Sequence, residues 1–213
     1  MKQLKKGILI AVEGIDGSGK STLALNLYQE LRAAYAAVVL TKEPGDSQLG
    51  LTLRSLLQEK PVPVSAKAEY FLFAADRAQH MQEVVVPALN TNAIIISDRM
   101  ADSSLVYQGY GRGLELEMIE KINTWAMDGI FPDLVFYVSI PLSIALERIT
   151  LRKKPLSSFE KEQSHFTQKL LTGFQEIFKN RKNVITLDGT LSPEELTHAA
   201  RTALENYIAT RAL

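Results

Sequence analysis

The 213-residue chain carries 24 lysines and arginines against 24 aspartates and glutamates, so no global field draws it to nucleic acid or to an anionic membrane. It contains no cysteine, which excludes disulfides, thiolate metal sites and cysteine nucleophiles together and fits a reducing cytoplasm. With 46% hydrophobic and 23% charged residues it can bury a core without staples, and its length suits one domain over residues 1–213.

Residues 1–6 and the apolar run at 7–12 look like the opening of a secretory leader. Glu13 ends that run, however, and no small-residue cleavage pattern follows. No stretch approaches the ~18 apolar residues of a membrane span. A cytoplasmic location is the expectation.

The run at 7–12 reads as a buried strand, followed by a glycine-rich turn and a helix over 21–34 with leucines at 23, 27 and 31. A second strand is predicted at 37–40. Helices follow at 49–58 and 66–90, and a third strand at 93–97. A helix at 114–127 and a fourth strand at 133–140 come next. The charged stretch 141–179 reads as helix interrupted near Pro155, and 183–187 as a fifth strand. Ser192-Pro193-Glu194-Glu195 opens a last helix with a cap residue, a proline and early acids. Alternating strands and helices predict an α/β, three-layer fold: a five-stranded parallel sheet flanked by helices, with a small helical lid at about 148–165. In such sheets ligands lie beyond the carboxyl ends of the strands.

The residues after the first strand, Gly14-Ile15-Asp16-Gly17-Ser18-Gly19-Lys20-Ser21, match G-x-x-x-x-G-K-[ST] at every fixed position, and Thr22 continues into the helix. The glycines let backbone N–H groups converge on phosphate, and the helix N-terminus adds positive dipole. Lys20 offers a point charge to the β/γ-phosphates and Ser21 a hydroxyl to Mg²⁺, so the chain is expected to use ATP. The P-loop alone also fits GTPases and motor ATPases, but no Asn-Lys-x-Asp segment is present to read guanine.

Phe73 and Arg77 lie four apart on a helix, able to form a shelf for a nucleobase; taken alone, core packing and a solvated arginine explain them as well. Asp98-Arg99 follows the third strand directly, where an Asp can hold Mg²⁺ and an Arg can fork onto phosphate. Ser104 and Gln108, also four apart, could face a base edge, with Tyr107 adjacent.

Three segments besides the P-loop carry a resemblance: Thr41-Lys42-Glu43-Pro44-Gly45, Phe73-Ala74-Ala75-Asp76-Arg77-Ala78-Gln79-His80, and the run from Asp98-Arg99 to Tyr107-Gln108-Gly109. The chain resembles the bacterial thymidylate kinases over nearly its whole length. The resemblance implies a nucleoside monophosphate kinase that makes dTDP and ADP from dTMP and ATP, with Mg²⁺, and a homodimer. It implies that Asp16 accepts the 3′-hydroxyl of the sugar and that Arg54 and Arg99 clamp the monophosphate. It puts Glu43 near phosphate and magnesium, Phe73 on thymine, and Arg77 at its carbonyl edge. Ser104 and Gln108 would complete the contacts to the base, and Tyr107 would crowd the 2′ position.

Some positions depart from that family's pattern. Lys42 and Asp46 stand where arginine and glycine are usual, and Met100 where an aromatic is common. In the lid, Ser157-Ser158-Phe159-Glu160 replaces an Asp-Arg-led segment, and Leu171 an arginine. Gly17 occupies a place where many relatives carry a catalytic arginine. The transition-state charge is then expected from Arg148 and Arg152, four apart before Pro155 and so on one helical face, acting with Lys20 and Arg99. Arg152-Lys153-Lys154 reads as a solvated or ATP-facing cluster, not as a nucleic-acid patch. Two rivals remain at this point: another mononucleotide or deoxynucleoside kinase, and a nucleotide binder without turnover.

Overall fold

Five short runs of branched and aliphatic residues become the strands of one parallel sheet in the computed structural model, which describes all residues except 60, 61, 153, 154, 161, 163, 212 and 213. The strands are β1 (Ile8–Glu13), β2 (Val38–Lys42), β3 (Ile94–Asp98), β4 (Leu134–Ser139) and β5 (Val184–Asp188), in the order β2-β3-β1-β4-β5. Alternate side chains of β1 enter two cores. Ile8, Ile10 and Val12 pack with Leu23, Leu27 and Leu31 of α1 (Lys20–Ala34) and with Leu196, Ala200 and Leu204 of the last helix. Leu9 and Ala11 pack on the other face with Met81, Val85 and Phe174. Burial on both faces is why the strands read as continuous apolar runs.

Helices α2 (Gln48–Glu59) and α3 (Ala66–His80) follow β2. The helix predicted over 66–90 is not uniform: a π-helical turn, Met81–Val85, separates α3 from α4 (Val86–Asn90). Pro87, at the start of α4, has no N–H with which to continue an α-ladder. Between β3 and α6 (Leu116–Ala126) lies a helix absent from the sequence reading, α5 (Ala101–Ser104) running into a second π-helical stretch, Leu105–Gly111. Its glycines hid it. They are there for close approach, since a Cβ on Gly109 would lie 2.3 Å from Leu116 and one on Gly111 2.7 Å from Phe166.

The stretch 141–179 divides into α7 (Leu142–Leu151) and α8 (Ser164–Phe178), a wider break than Pro155 alone suggested. The helix opening at Ser192 is present as α9 (Pro193–Arg211), where the Ser192 hydroxyl accepts from Glu195 N–H at 3.2 Å and Glu195 reaches back to Ser192 N–H at 3.0 Å. Among the described residues no helix is long and apolar enough to cross a membrane.

Candidate active site

The turn between β1 and α1 is built around positive φ values at Gly14, Gly17 and Gly19. At Gly17 (φ 81°) the reason is also spatial, because a Cβ would lie 2.4 Å from the Ala145 carbonyl oxygen of α7. Gly19 caps α1 in the left-handed region without a side-chain acceptor, leaving the first N–H groups of the helix for an anion. Ile15 gives only backbone to this loop, since its side chain is core. Ser18 is fully buried, with its hydroxyl unpartnered among the described residues. Asp16, Gly17, Gly19, Lys20, Ser21 and Thr22 line one side of a cavity of about 820 Å³.

Lys20 Nζ donates to Asp16 Oδ1 at 3.1 Å. The same oxygen accepts from Arg99 Nη2 at 2.6 Å. Burial raises the Asp16 pKa, but Lys20 and Arg99 outweigh it and hold the carboxyl far below the ordinary range. Arg99 itself sits at φ 75°, a left-handed backbone costing about 1–3 kcal/mol for a residue with a Cβ. Its surroundings over-determine that conformation. Arg99 N–H donates to Val12 O at 3.0 Å, Ser97 Oγ to Arg99 O at 2.7 Å, and the following Met100 N–H to Glu13 Oε1 at 2.8 Å. Arg99 Nη1 also donates to Gly14 O at 2.9 Å and Ser103 Oγ at 3.0 Å, and Nη2 to the Tyr107 hydroxyl at 3.0 Å. Glu13, wholly buried beneath this bend, is pushed up to about 7 by its burial and by Asp102, against the pull of Arg99.

Ser21 Oγ donates to Asp98 Oδ2 at 2.5 Å, joining the two oxygens read from the sequence as metal ligands. Asp98 Oδ1 is buried without a partner among the described residues. An all-oxygen pair with a spare carboxylate oxygen fits a hard cation such as Mg²⁺.

Across the cavity, Arg77 is no solvated arginine: it is 1% exposed. Its Nε donates to Glu43 Oε2 at 2.8 Å, Nη1 to Asn123 Oδ1 at 2.7 Å and Nη2 to Ser104 Oγ at 3.1 Å. Three of its five donors are thus committed, and two remain among the described residues. Glu43, expected beside phosphate and magnesium, lines the cavity but commits both oxygens to protein groups. Its Oε1 lies 3.0 Å from His80 Nδ1, and His80 Nε2 lies 2.7 Å from Thr41 Oγ1. Burial would raise the Glu43 pKa; Arg77 and His80 reverse this and hold it low. Removing one partner of so buried a pair costs about 3–5 kcal/mol, because the other charge is stranded. Phe73, half-buried, lines the same cavity with Ser104 and Gln108, so the spacing of four brought these side chains together despite the π-helical turn after Ser104. Arg54 Nη1 donates to Pro44 O at 2.6 Å, which keeps its head at the cavity wall.

On the lid side the two arginines stand at the end of α7. Helix α7 ends at Leu151 and the chain leaves the helix at Arg152 (φ −74°, ψ 112°), but Arg152 N–H still donates to Arg148 O at 3.2 Å, so the two arginines keep the i, i+4 relation read from the sequence. Both line the cavity. Arg148 Nη1 donates to Gly189 O at 2.8 Å, and Arg152 pairs with Glu160 of the lid. Lys153 and Lys154 lie outside the described residues.

Sequence reasoning missed Phe159, whose ring sits 6.1 Å from that of Phe73 and 5.6 Å edge-on to Tyr107. It also missed Asn123, which joins α6 to Arg77 and accepts from the Tyr70 hydroxyl at 3.1 Å. Phe159 stood in a segment noticed only for what it lacked. Nothing local marks Asn123, 46 residues from its partner.

Residues 12–200 match the family model described as thymidylate kinase. The thymidylate kinase of Halothermothrix orenii is 38% identical over 193 residues, covering 90% of this chain and 93% of the relative. That of Thermosipho africanus is 37% identical over 201 residues, covering 94% and 99%. That of Thermosipho melanesiensis is 40% identical over 183 residues, covering 86% and 90%.

Proposed function

This chain belongs to the thymidylate kinase family, and on that premise we propose how its residues divide the transfer of the ATP γ-phosphate to dTMP, which yields dTDP and ADP. The observation that carries the assignment is that one cavity is lined both by the P-loop and by Phe73, Arg77, Ser104 and Gln108. A phosphate cradle and an aromatic, hydrogen-bonding shelf facing it suit a nucleotide acceptor and not water.

A dTMP phosphate oxygen attacks the γ-phosphorus in line. It is already ionised near neutral pH, so no protein base is needed, and positioning with charge neutralisation does most of the work. Lys20 turns from Asp16 to the β/γ-phosphates. Arg99, fixed by its left-handed bend, meets the dTMP phosphate together with Arg54. Asp16, relieved of one cation, accepts the 3′-hydroxyl. Phe73 stacks on thymine, the free donors of Arg77 reach a base carbonyl, and Ser104 and Gln108 complete the edge. Tyr107, held by Arg99, crowds the 2′ position and favours deoxyribose. Arg148 and Arg152 supply charge to the transferring phosphoryl group from the lid. Ser21 and Asp98 would hold Mg²⁺, which when bound neutralises charge on the β- and γ-oxygens.

Residues 1–213 are taken as one kinase domain with a lid at about 148–165. A homodimer is supported by Phe71 of α3 and by Met118 and Trp125 of α6, which are 57%, 50% and 81% exposed on helices that pack side by side. A cytoplasmic location is supported by the absence of cysteine. ADP release in a coupled assay, with and without dTMP, tests the reading. Strong dTMP-dependent release is expected, and binding of both nucleotides without release would favour a regulator that does not turn over.

A further inference from the structure

Gln108 and Glu69 are each 1% exposed, and Gln108 Nε2 lies 3.0 Å from Glu69 Oε1. Glu69 sits on α3 one turn before Phe73 and two before Arg77, in line with the base shelf. Behind it Arg112 Nε lies 3.4 Å from the same oxygen. Arg112 Nη1 binds Glu162 of the lid segment at 2.7 Å, and its guanidinium stacks 4.7 Å from the Phe166 ring. A carboxylate beside a guanidinium can only accept, so the Gln108 group that faces it must be the NH₂. A primary amide is asymmetric, and turning the NH₂ to Glu69 turns the carbonyl oxygen the other way. That oxygen has no protein donor among the described residues, and Gln108 lines the cavity.

We propose that Glu69 is a specificity-determining positioning residue. By accepting from Gln108 Nε2 it locks the amide with its carbonyl towards the base, where that carbonyl accepts from the N3–H of thymine and repels the bare N3 of cytosine. Without the lock, a glutamine can flip and serve either base. The proposal rests on the assignment of Gln108 to the base edge made above.

The test uses Glu69→Gln, near in size and able to offer Gln108 either a donor or an acceptor, beside Gln108→Met and the native enzyme. In Glu69→Gln the ratio of kcat/KM for dTMP over dCMP falls by about 10-fold, the worth of one neutral hydrogen bond. The change is carried by the KM values of the two acceptors, with the KM for ATP unmoved. Gln108→Met raises the KM for dTMP without any gain on dCMP. The native enzyme discriminates against 3-methyl-dTMP, which has no N3–H, an arm that does not depend on either variant folding. If Gln108→Met leaves the KM for dTMP unchanged, the assignment of Gln108 to the base is wrong, whatever Glu69 does. If Gln108→Met weakens dTMP while Glu69→Gln keeps the native ratio, the positioning role is overturned. Equal use of dTMP and 3-methyl-dTMP overturns it as well.

Discussion

Arg99 Nη2 and Asp16 Oδ1 are 2.6 Å apart, and that oxygen also holds Lys20 Nζ at 3.1 Å. Two cations, one just after β3 and one in the P-loop, are thus parked on one carboxylate that itself lines the nucleotide cavity. Removing Lys20 leaves Asp16 paired with Arg99, so Lys20→Ala is expected to keep its fold and melting temperature. Turnover should fall by ~10²–10³ or more, since the lysine meets charge that grows in the transition state. Coupled kinetics with thermal melts check this, and near-native turnover would sink the P-loop assignment.

The acceptor pocket predicts a ranking. Arg77, Ser104 and Gln108 form a set that is buried at 1–2% exposure. A wrong base leaves such groups unpaired, which can discriminate by ~10⁴-fold, whereas the 5-methyl is worth only about 10-fold. dTMP should lead, dUMP follow within about tenfold or somewhat more, and dCMP and dGMP trail far behind. Equal catalytic efficiency with dCMP or dGMP would mean that the pocket has been misread.

The lid arginines can be separated by kinetics. Arg152→Ala and Arg148→Ala should each be compared with the double variant, and at least one change is expected to cut kcat by ~10³-fold while weakening ATP binding much less. Arg152 is the stronger candidate, because its partner, Glu160, belongs to the lid segment itself, whereas Arg148 is held by the Gly189 carbonyl. Gly17→Arg should not rescue the loss: at φ 81°, with the Ala145 carbonyl 2.4 Å from a Cβ, it should lower the melting temperature instead. Native turnover in the double variant would remove the lid from the mechanism.

A pH effect follows from Asp76. Burial first, and the Glu43 charge second, push its carboxyl from 3.8 up to about 6, against the Gly45 N–H it accepts at 3.1 Å; its Oδ2 has no partner among the described residues. A raised acid pKa means the native state keeps a proton that the unfolded chain releases. Its contribution to stability is therefore complete below 3.8 and is lost as pH rises to about 6. Asp76→Asn removes that loss. The melting temperature of the variant relative to the native protein should climb across this window, by the equivalent of ~3 kcal/mol at most. A difference that stays flat between pH 4 and 7 would count against it.

Periodicity and spacing sufficed for the sheet, the helix α1 and the P-loop, because each is written in neighbouring residues. Leu23, Leu27 and Leu31 announce a face, and Gly14 to Ser21 a cradle. The spacing of Phe73 and Arg77 announced a shared face but left their environment open, since four residues of helix look alike in a core and at a surface. The stretch 101–111 was lost because its glycines serve contacts with Leu116 and Phe166 that lie further along the chain.

By itself, then, the sequence determined the layered α/β fold and the phosphate-binding turn, whose determinants lie within a few residues of one another. Only the tertiary structure decided what each polar group is free to do. Glu43 is committed to Arg77 and His80 across 34 and 37 residues, and Gln108 to Glu69 across 39. Arg152 is tied to Glu160 across 8 residues and Arg148 to the Gly189 carbonyl across 41. Hydrogen-bond capacity is finite, and which donors and acceptors remain for a ligand depends on partners that chain distance conceals and folding brings within 3 Å.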